Sequence, residues 1–64
     1  MYVLGEKPRT PSEAFDALEN VFGGEEFSEA QAEEVLEEVL DMSPSESRNT
    51  LSRLIRNGAI EEAS

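Results

Sequence analysis

The chain has 64 residues, no cysteine and no histidine, and it carries 15 acidic residues against 5 basic ones. A chain of this length forms one domain at most and buries only about 60% of the surface of its unfolded state, which leaves no room for a large active-site cavity. The lack of cysteine and histidine excludes disulfides, thiolate nucleophiles and the usual zinc ligands. We therefore expect no enzyme activity, no cofactor and no small-molecule substrate.

The net charge of -10 is large for so small a domain. Repulsion between like charges destabilises a compact state, but at about 1 M salt the Debye length falls to about 3 Å and neighbouring carboxylates interact weakly. With one lysine and four arginines, the composition resembles that of proteins from extreme halophiles. The alternative is an acidic protein from a cell of ordinary salt concentration, which acts as a nucleic-acid decoy or as the partner of a basic protein.

The first nine residues are predicted to form an N-terminal extended segment, because Pro8 disfavours helix before it. Their apolar run, Tyr2-Val3-Leu4, would pack against helices or join a sheet edge. Residues 10–64 are assigned to a single domain. Since the sequence has no signal peptide, long apolar run or lipidation motif, we expect a cytoplasmic protein with no membrane contact.

A first helix is predicted at about residues 11–22. Thr10 can act as its N-cap, with Pro11 at the first helical position and Glu13 three residues after the cap. Gly23-Gly24 would end it. Its apolar residues recur at helical spacing and are assigned to the core rather than to a ligand groove: Ala14, Phe15, Leu18, Val21 and Phe22.

A second helix is predicted at about residues 29–41, where Ser28 and Gln31 can form a capping box. The residues predicted to face inward are Ala32, Val35, Leu36, Val39 and Leu40. Those predicted to face largely outward are Glu33, Glu34, Glu37, Glu38 and Asp41. Carboxylates at one-turn spacing can converge on a divalent cation. A solvated acidic face is the favoured interpretation, because no glycine-bounded loop or further ligand accompanies them.

A third helix is predicted at about residues 44–57. Ser43 can cap it, Pro44 suits its first position, and Glu46 can reach back to the amide of Ser43. Asn57-Gly58 would end it, because both residues tolerate a left-handed backbone. At about 100° per residue, one face holds Ser47, Leu51, Leu54, Ile55 and Gly58, and is predicted to pack. The opposite face holds Ser45, Asn49, Ser52, Arg53 and Arg56, with Arg48 on the flank.

This third segment resembles the recognition helix of winged helix-turn-helix regulators of the MarR/ArsR type, and its tail reads Leu51-x-x-Leu54-Ile55-x-x-Gly58-Ala59-Ile60. The resemblance implies a mainly α, compact three-helix helix-turn-helix bundle, with Met42 filling the corner between the second and third helices. It also implies a minimal two-stranded β element in which Phe27 lies opposite Ile60. Only Glu61-Glu62-Ala63-Ser64 follow, so we expect a reduced or absent wing.

Three of the five basic residues lie on this third helix, which is the most basic part of the chain. By the resemblance, the helix would read the major groove of double-stranded DNA, since arginine can pair with guanine or phosphate and asparagine with adenine. The predicted DNA-binding residues are Ser45, Arg48, Asn49, Ser52, Arg53 and Arg56, with Asn49 and Arg53 foremost.

Two alternatives to DNA binding remain open at this point. The arginines would lose their role if they only paired with the acidic second helix. The same fold could instead serve as a protein–protein interaction module that binds no DNA. A homodimer would favour DNA binding, because two recognition helices would then occupy successive grooves.

Overall fold

The computed structural model describes residues 1–63, so Ser64, the last residue of the predicted domain, lies outside them. The chain runs from a short strand, β1 (Tyr2–Leu4), through three helices to a second short strand, β2 (Ile60–Glu62). The helices are α1 (Glu13–Phe22), α2 (Glu29–Val39) and α3 (Pro44–Arg56). α2 packs against both α1 and α3, and α3 packs against β2. The predicted mainly helical three-helix bundle with a minimal two-stranded sheet is confirmed.

α1 begins two residues later than predicted. Ser12, not Thr10, is the N-cap, and its Oγ accepts a hydrogen bond of 3.1 Å from the backbone N–H of Phe15. Both residues have a side chain that can cap a helix, so the local sequence offers two starts. With Ser12 as the cap, Pro11 precedes the helix, and the chain from β1 has two more residues in which to reach it.

α2 carries the predicted capping box. Ser28 Oγ accepts from the Gln31 N–H at 3.1 Å, and Gln31 Oε1 accepts from the Ser28 N–H at 2.8 Å. The helix ends at Val39 rather than at Asp41, because Asp41 adopts a left-handed conformation with φ of 55°. A non-glycine residue in this region interrupts the helical path, and aspartate tolerates it better than most residues.

α3 starts as predicted, with Ser43 as N-cap and Pro44 in the first turn. Ser43 Oγ accepts from the Glu46 N–H at 3.2 Å. The Glu46 carboxylate accepts from the Ser43 hydroxyl at 3.5 Å and not, as predicted, from the Ser43 amide. The helix ends at Arg56, one residue before the predicted end, with Asn57 as its C-cap. Gly58 follows with φ of 83°, a conformation that glycine adopts without a Cβ penalty, and it turns the chain into β2.

The predicted pairing of Phe27 with Ile60 is wrong, because β1 lies between them. β1 and β2 are antiparallel, with Leu4 opposite Ile60. On the other edge of β1, Tyr2 exchanges two backbone hydrogen bonds of 2.8 Å with Phe27. β1 pairs with Phe27 along one edge and with β2 along the other, because the backbone groups of successive residues in a strand point to opposite edges.

The core is formed by residues from all three helices and from the chain around the sheet. Its buried apolar residues are Ala14, Phe15, Ala17, Leu18, Phe27, Ala32, Leu36, Leu51, Leu54, Ala59 and Ile60. The rings of Phe22 and Phe27 stack with centroids 4.6 Å apart. Val21 and Val39, predicted to face inward, are instead 53% and 58% exposed. Each lies in the last turn of its helix, at the edge of the core.

Candidate nucleic-acid interface

α2 and α3 form a helix–turn–helix pair joined by residues 40–43. Met42 is half-buried in this turn and packs against the core, which confirms its predicted position at the corner. Its Sδ accepts a hydrogen bond of 3.7 Å from the hydroxyl of Thr50 on α3. The left-handed Asp41 turns the chain between the two helices, and the half-buried Met42 packs at their corner.

The packing face of α3 is the predicted one. Ser47, Leu51 and Leu54 are buried, and Ile55 packs against the same core. Ser47 is fully buried, and its hydroxyl donates to Glu37 Oε2 on α2 at 3.1 Å. Glu37 is thus half-buried rather than outward as predicted, because its carboxylate satisfies a buried hydroxyl between the helices.

The opposite face of α3 is open to solvent, and all six predicted DNA-binding residues lie on it in exposed positions: Ser45, Arg48, Asn49, Ser52, Arg53 and Arg56. In helical projection Ser45, Ser52 and Arg56 share the centre of this face, while Arg48 and Arg53 lie on opposite flanks. The face is about as long as α3 itself, which spans 13 residues.

The arginines of α3 are not tied to the acidic residues of the domain. Within residues 1–63, no arginine nitrogen lies within 4.0 Å of a carboxylate oxygen. In the same part of the chain, the only hydrogen bond from an arginine side chain is a long one of 3.5 Å, from Arg48 Nε to the carbonyl oxygen of Pro44. The guanidinium groups can therefore meet a ligand without first breaking an ion pair to a side chain of residues 1–63.

A second group of basic residues, which the sequence did not predict to be part of the interface, lies beside the C-terminal end of α3. Lys7 and Arg9 line a cleft of 320 Å³ whose other wall contains Asn57. A neighbouring groove of 260 Å³ runs between Thr10 and Arg53. The pairing of β1 with β2 brings this segment to α3, and the two lie far apart in sequence. No local pattern would have revealed this contact.

The acidic residues of α2 differ in their exposure. Glu34 and Glu38 are exposed, while Glu33 and Glu37 are half-buried. No group of three or more acidic, histidine or cysteine side chains placed to hold a metal ion occurs in the described part of the chain. Among these residues there is likewise no helix of the length and apolarity that a membrane crossing requires.

Comparison of this chain with models of protein families, with curated proteins and with solved structures gave no match. The fold defines it as a small three-helix bundle closed by a two-stranded antiparallel sheet.

Proposed function

We propose that this domain binds double-stranded DNA by placing the exposed face of α3 in the major groove. The observation that carries the proposal is the state of the α3 arginines, which are exposed and have no carboxylate partner within residues 1–63. They lie on the second helix of a helix–turn–helix pair, the element that enters the groove in proteins with this arrangement.

Each residue of this face has a chemical role in the proposal. Asn49 can bond to both the N6 and N7 positions of adenine, and Arg53 can bond in the same two-point manner to guanine. The hydroxyls of Ser45 and Ser52 suit phosphate oxygens, and so does the guanidinium of Arg48 on the flank. Arg56 extends the same face towards the groove wall.

The net charge of -10 limits the affinity of a single domain. Non-specific DNA binding comes mainly from the release of counterions by cationic side chains, and this contribution falls as salt rises. Five basic residues supply little of it. A homodimer that presents two α3 helices to successive major grooves would recover affinity by making the second contact intramolecular.

A protein–protein interaction module is the second candidate function. It is favoured by three exposed apolar side chains, Met1, Val21 and Val39, each more than half exposed. Covering an exposed apolar side chain with a partner lowers the free energy, and the acidic residues around α2 would favour a basic partner.

Titration with mixed-sequence duplex DNA in potassium chloride from 0.1 M to 1 M tests the DNA proposal. We expect the wild-type protein to bind and the Asn49→Ala/Arg53→Ala double variant to bind at least tenfold more weakly, because each lost two-point contact costs about 1 to 3 kcal/mol. The matched control is Asn20→Ala/Ala30→Glu, at exposed positions on α1 and α2. Like the double variant, it removes one side-chain amide and lowers the net charge by one unit.

Absence of binding by the wild-type protein, or equal binding by the double variant, would contradict the DNA proposal and leave the interaction module. Equal loss in the control and in the double variant would assign the effect to net charge alone. Circular dichroism melting of all variants distinguishes lost contacts from lost folding.

A further inference from the structure

The cleft between the N-terminal segment and α3 has a cationic lining on an otherwise acidic domain. Its walls contain Lys7 and Arg9, which are the two basic residues of the chain outside α3, together with Thr10 and Asn57. One carboxylate, that of Glu6, lines the same cleft. Two cations against one anion leave the lining with a net charge of about +1 at neutral pH.

Hydrogen-bond donors without an internal partner accompany these cations. Within residues 1–63, the backbone N–H groups of residues 6, 7, 9 and 10 donate to no backbone carbonyl, and the side chains of Thr10 and Asn57 are exposed. By contrast, the N–H of Gly5, just before the cleft, is bonded to the carbonyl oxygen of Ala59 at 2.7 Å.

The two walls of the cleft are held in place by the fold. The Gly5–Ala59 hydrogen bond joins the start of the N-terminal segment to the chain after α3. The backbone N–H of Asn57 caps α3 by donating to the carbonyl oxygen of Arg53 at 2.9 Å. Pro8 restricts the backbone in the middle of the segment. The N-terminal wall is thus anchored where it leaves β1, and the Asn57 wall is anchored by α3.

We propose that this cleft binds a phosphate group and that, in a DNA complex, it holds a backbone phosphate beside the groove that α3 enters. The DNA part of this inference rests on the function proposed above. Arg53 lines the adjoining groove, so the cleft continues the Arg53 flank of the α3 face. Lysine, arginine and amide donors together match the several acceptor oxygens of a phosphate better than the two of a single carboxylate.

The chain thereby uses its N-terminal segment to add sequence-independent phosphate contacts that α3 lacks. Contacts of this kind position a protein on the duplex without reading bases. Lys7 and Arg9, the two basic residues outside α3, thereby lie next to the Arg53 flank of the α3 face. The carboxylate of Glu6 repels phosphate and lowers the affinity of the site, so removing it should strengthen binding.

Two-dimensional nitrogen–proton NMR titrations test the site, one with a short mixed-sequence duplex and one with inorganic phosphate. We expect both ligands to shift the amide signals of residues 7, 9, 10 and 57. In parallel, DNA affinity is measured against salt. Lys7→Gln/Arg9→Gln should reduce the magnitude of the slope of log K against log salt by about 1, because the cleft neutralises one backbone phosphate, and equally for every DNA sequence.

Two matched variants accompany the double substitution. Asn20→Asp/Ala30→Glu lowers the net charge by the same two units at exposed positions outside the cleft, and it should keep most of the slope. Glu6→Gln removes the one carboxylate of the cleft and should raise DNA affinity severalfold. Melting curves establish that each variant is folded, which is expected because Glu6, Lys7 and Arg9 are exposed.

The outcomes separate this inference from the proposed function. If DNA shifts the amides of α3 but not those of the cleft, and the slope survives in Lys7→Gln/Arg9→Gln, the cleft inference is overturned and the DNA proposal stands. If DNA does not bind but inorganic phosphate shifts the cleft amides, the phosphate site stands with free phosphate as its ligand. If DNA shifts no amide of α3 or of the cleft and phosphate shifts none of the cleft, both the DNA proposal and the cleft inference fail. A glutamate-rich peptide that shifts these amides at lower concentration than phosphate would assign the cleft to a protein partner.

Discussion

The hydroxyl of Ser47 donates a hydrogen bond of 3.1 Å to Glu37 Oε2, and this contact joins the buried face of α3 to α2. The same hydroxyl lies 3.0 Å from the carbonyl oxygen of Pro44 one turn earlier. Because serine has a single hydroxyl proton, the two acceptors share it or alternate. The bond orients α3 about its own axis, and this orientation directs Asn49 and Arg53 to solvent.

Replacing Ser47 by alanine should destabilise the domain by about 1 kcal/mol, since a buried hydrogen bond is lost without any gain in packing. For a domain of this size the melting temperature should fall by about 4 to 8 °C. Ser52→Ala is the control, because Ser52 is exposed on the same helix. A double-mutant cycle with Glu37→Ala should give a coupling energy of at least 0.5 kcal/mol, on the order expected for residues in contact. Additive effects would show that the contact contributes nothing.

A methyl group at residue 5 should disrupt the junction between β1 and β2. A Cβ built there would lie 2.7 Å from the backbone oxygen of Gly58, which cannot move without disturbing the end of α3. We expect Gly5→Ala to cost about 1 to 3 kcal/mol, measured by urea unfolding, as for other overpacked sites. Gly24→Ala is the matched control, since nothing lies within 4 Å of its Cβ position and its φ is not positive. Similar losses in both variants would reject the steric explanation.

The start of α1 can be tested by comparing its two candidate caps. Ser12→Ala should lower the free energy of unfolding by about 0.5 to 2 kcal/mol, because the Phe15 N–H loses its acceptor. Thr10→Ala should change it by less than about 0.5 kcal/mol, since Thr10 is exposed and caps nothing. Thermal melts in the same buffer decide between them. A larger loss for Thr10→Ala would restore the start predicted from the sequence.

The melting temperature should rise markedly between 0.1 M and 2 M potassium chloride if the composition reflects adaptation to high salt. The physical reason is screening of repulsion among exposed carboxylates such as Glu34 and Glu38, which lie one helical turn apart on α2.

The variant Glu34→Gln/Glu38→Gln provides the internal comparison for this salt effect. It should melt higher than the wild-type protein at 0.1 M salt and show a smaller increase with salt, because part of the repulsion is already removed. A melting temperature that is flat or falls with salt in the wild-type protein would argue against halophilic adaptation.

Local chemistry was sufficient to predict most of the helical architecture. The Ser28–Gln31 capping box and the Ser43-Pro44 start lie where their side-chain spacing placed them. The division of α3 into a packed face with Leu51 and Leu54 and an exposed polar face is also as predicted. These features depend on residues three or four positions apart, whose geometry within a helix is nearly invariant.

The strand pairing, the position of Glu37 and the cleft beside α3 depend on contacts between residues distant in sequence. Phe27 and Ile60 both needed a strand partner, and only the folded chain reveals that Tyr2-Val3-Leu4 lies between them. Periodicity placed Glu37 outside, but the buried hydroxyl of Ser47 draws its carboxylate inward. Residue types and local spacing are thus enough to form these helices, whereas competition among partners for a limited set of backbone and buried polar groups selects how they join.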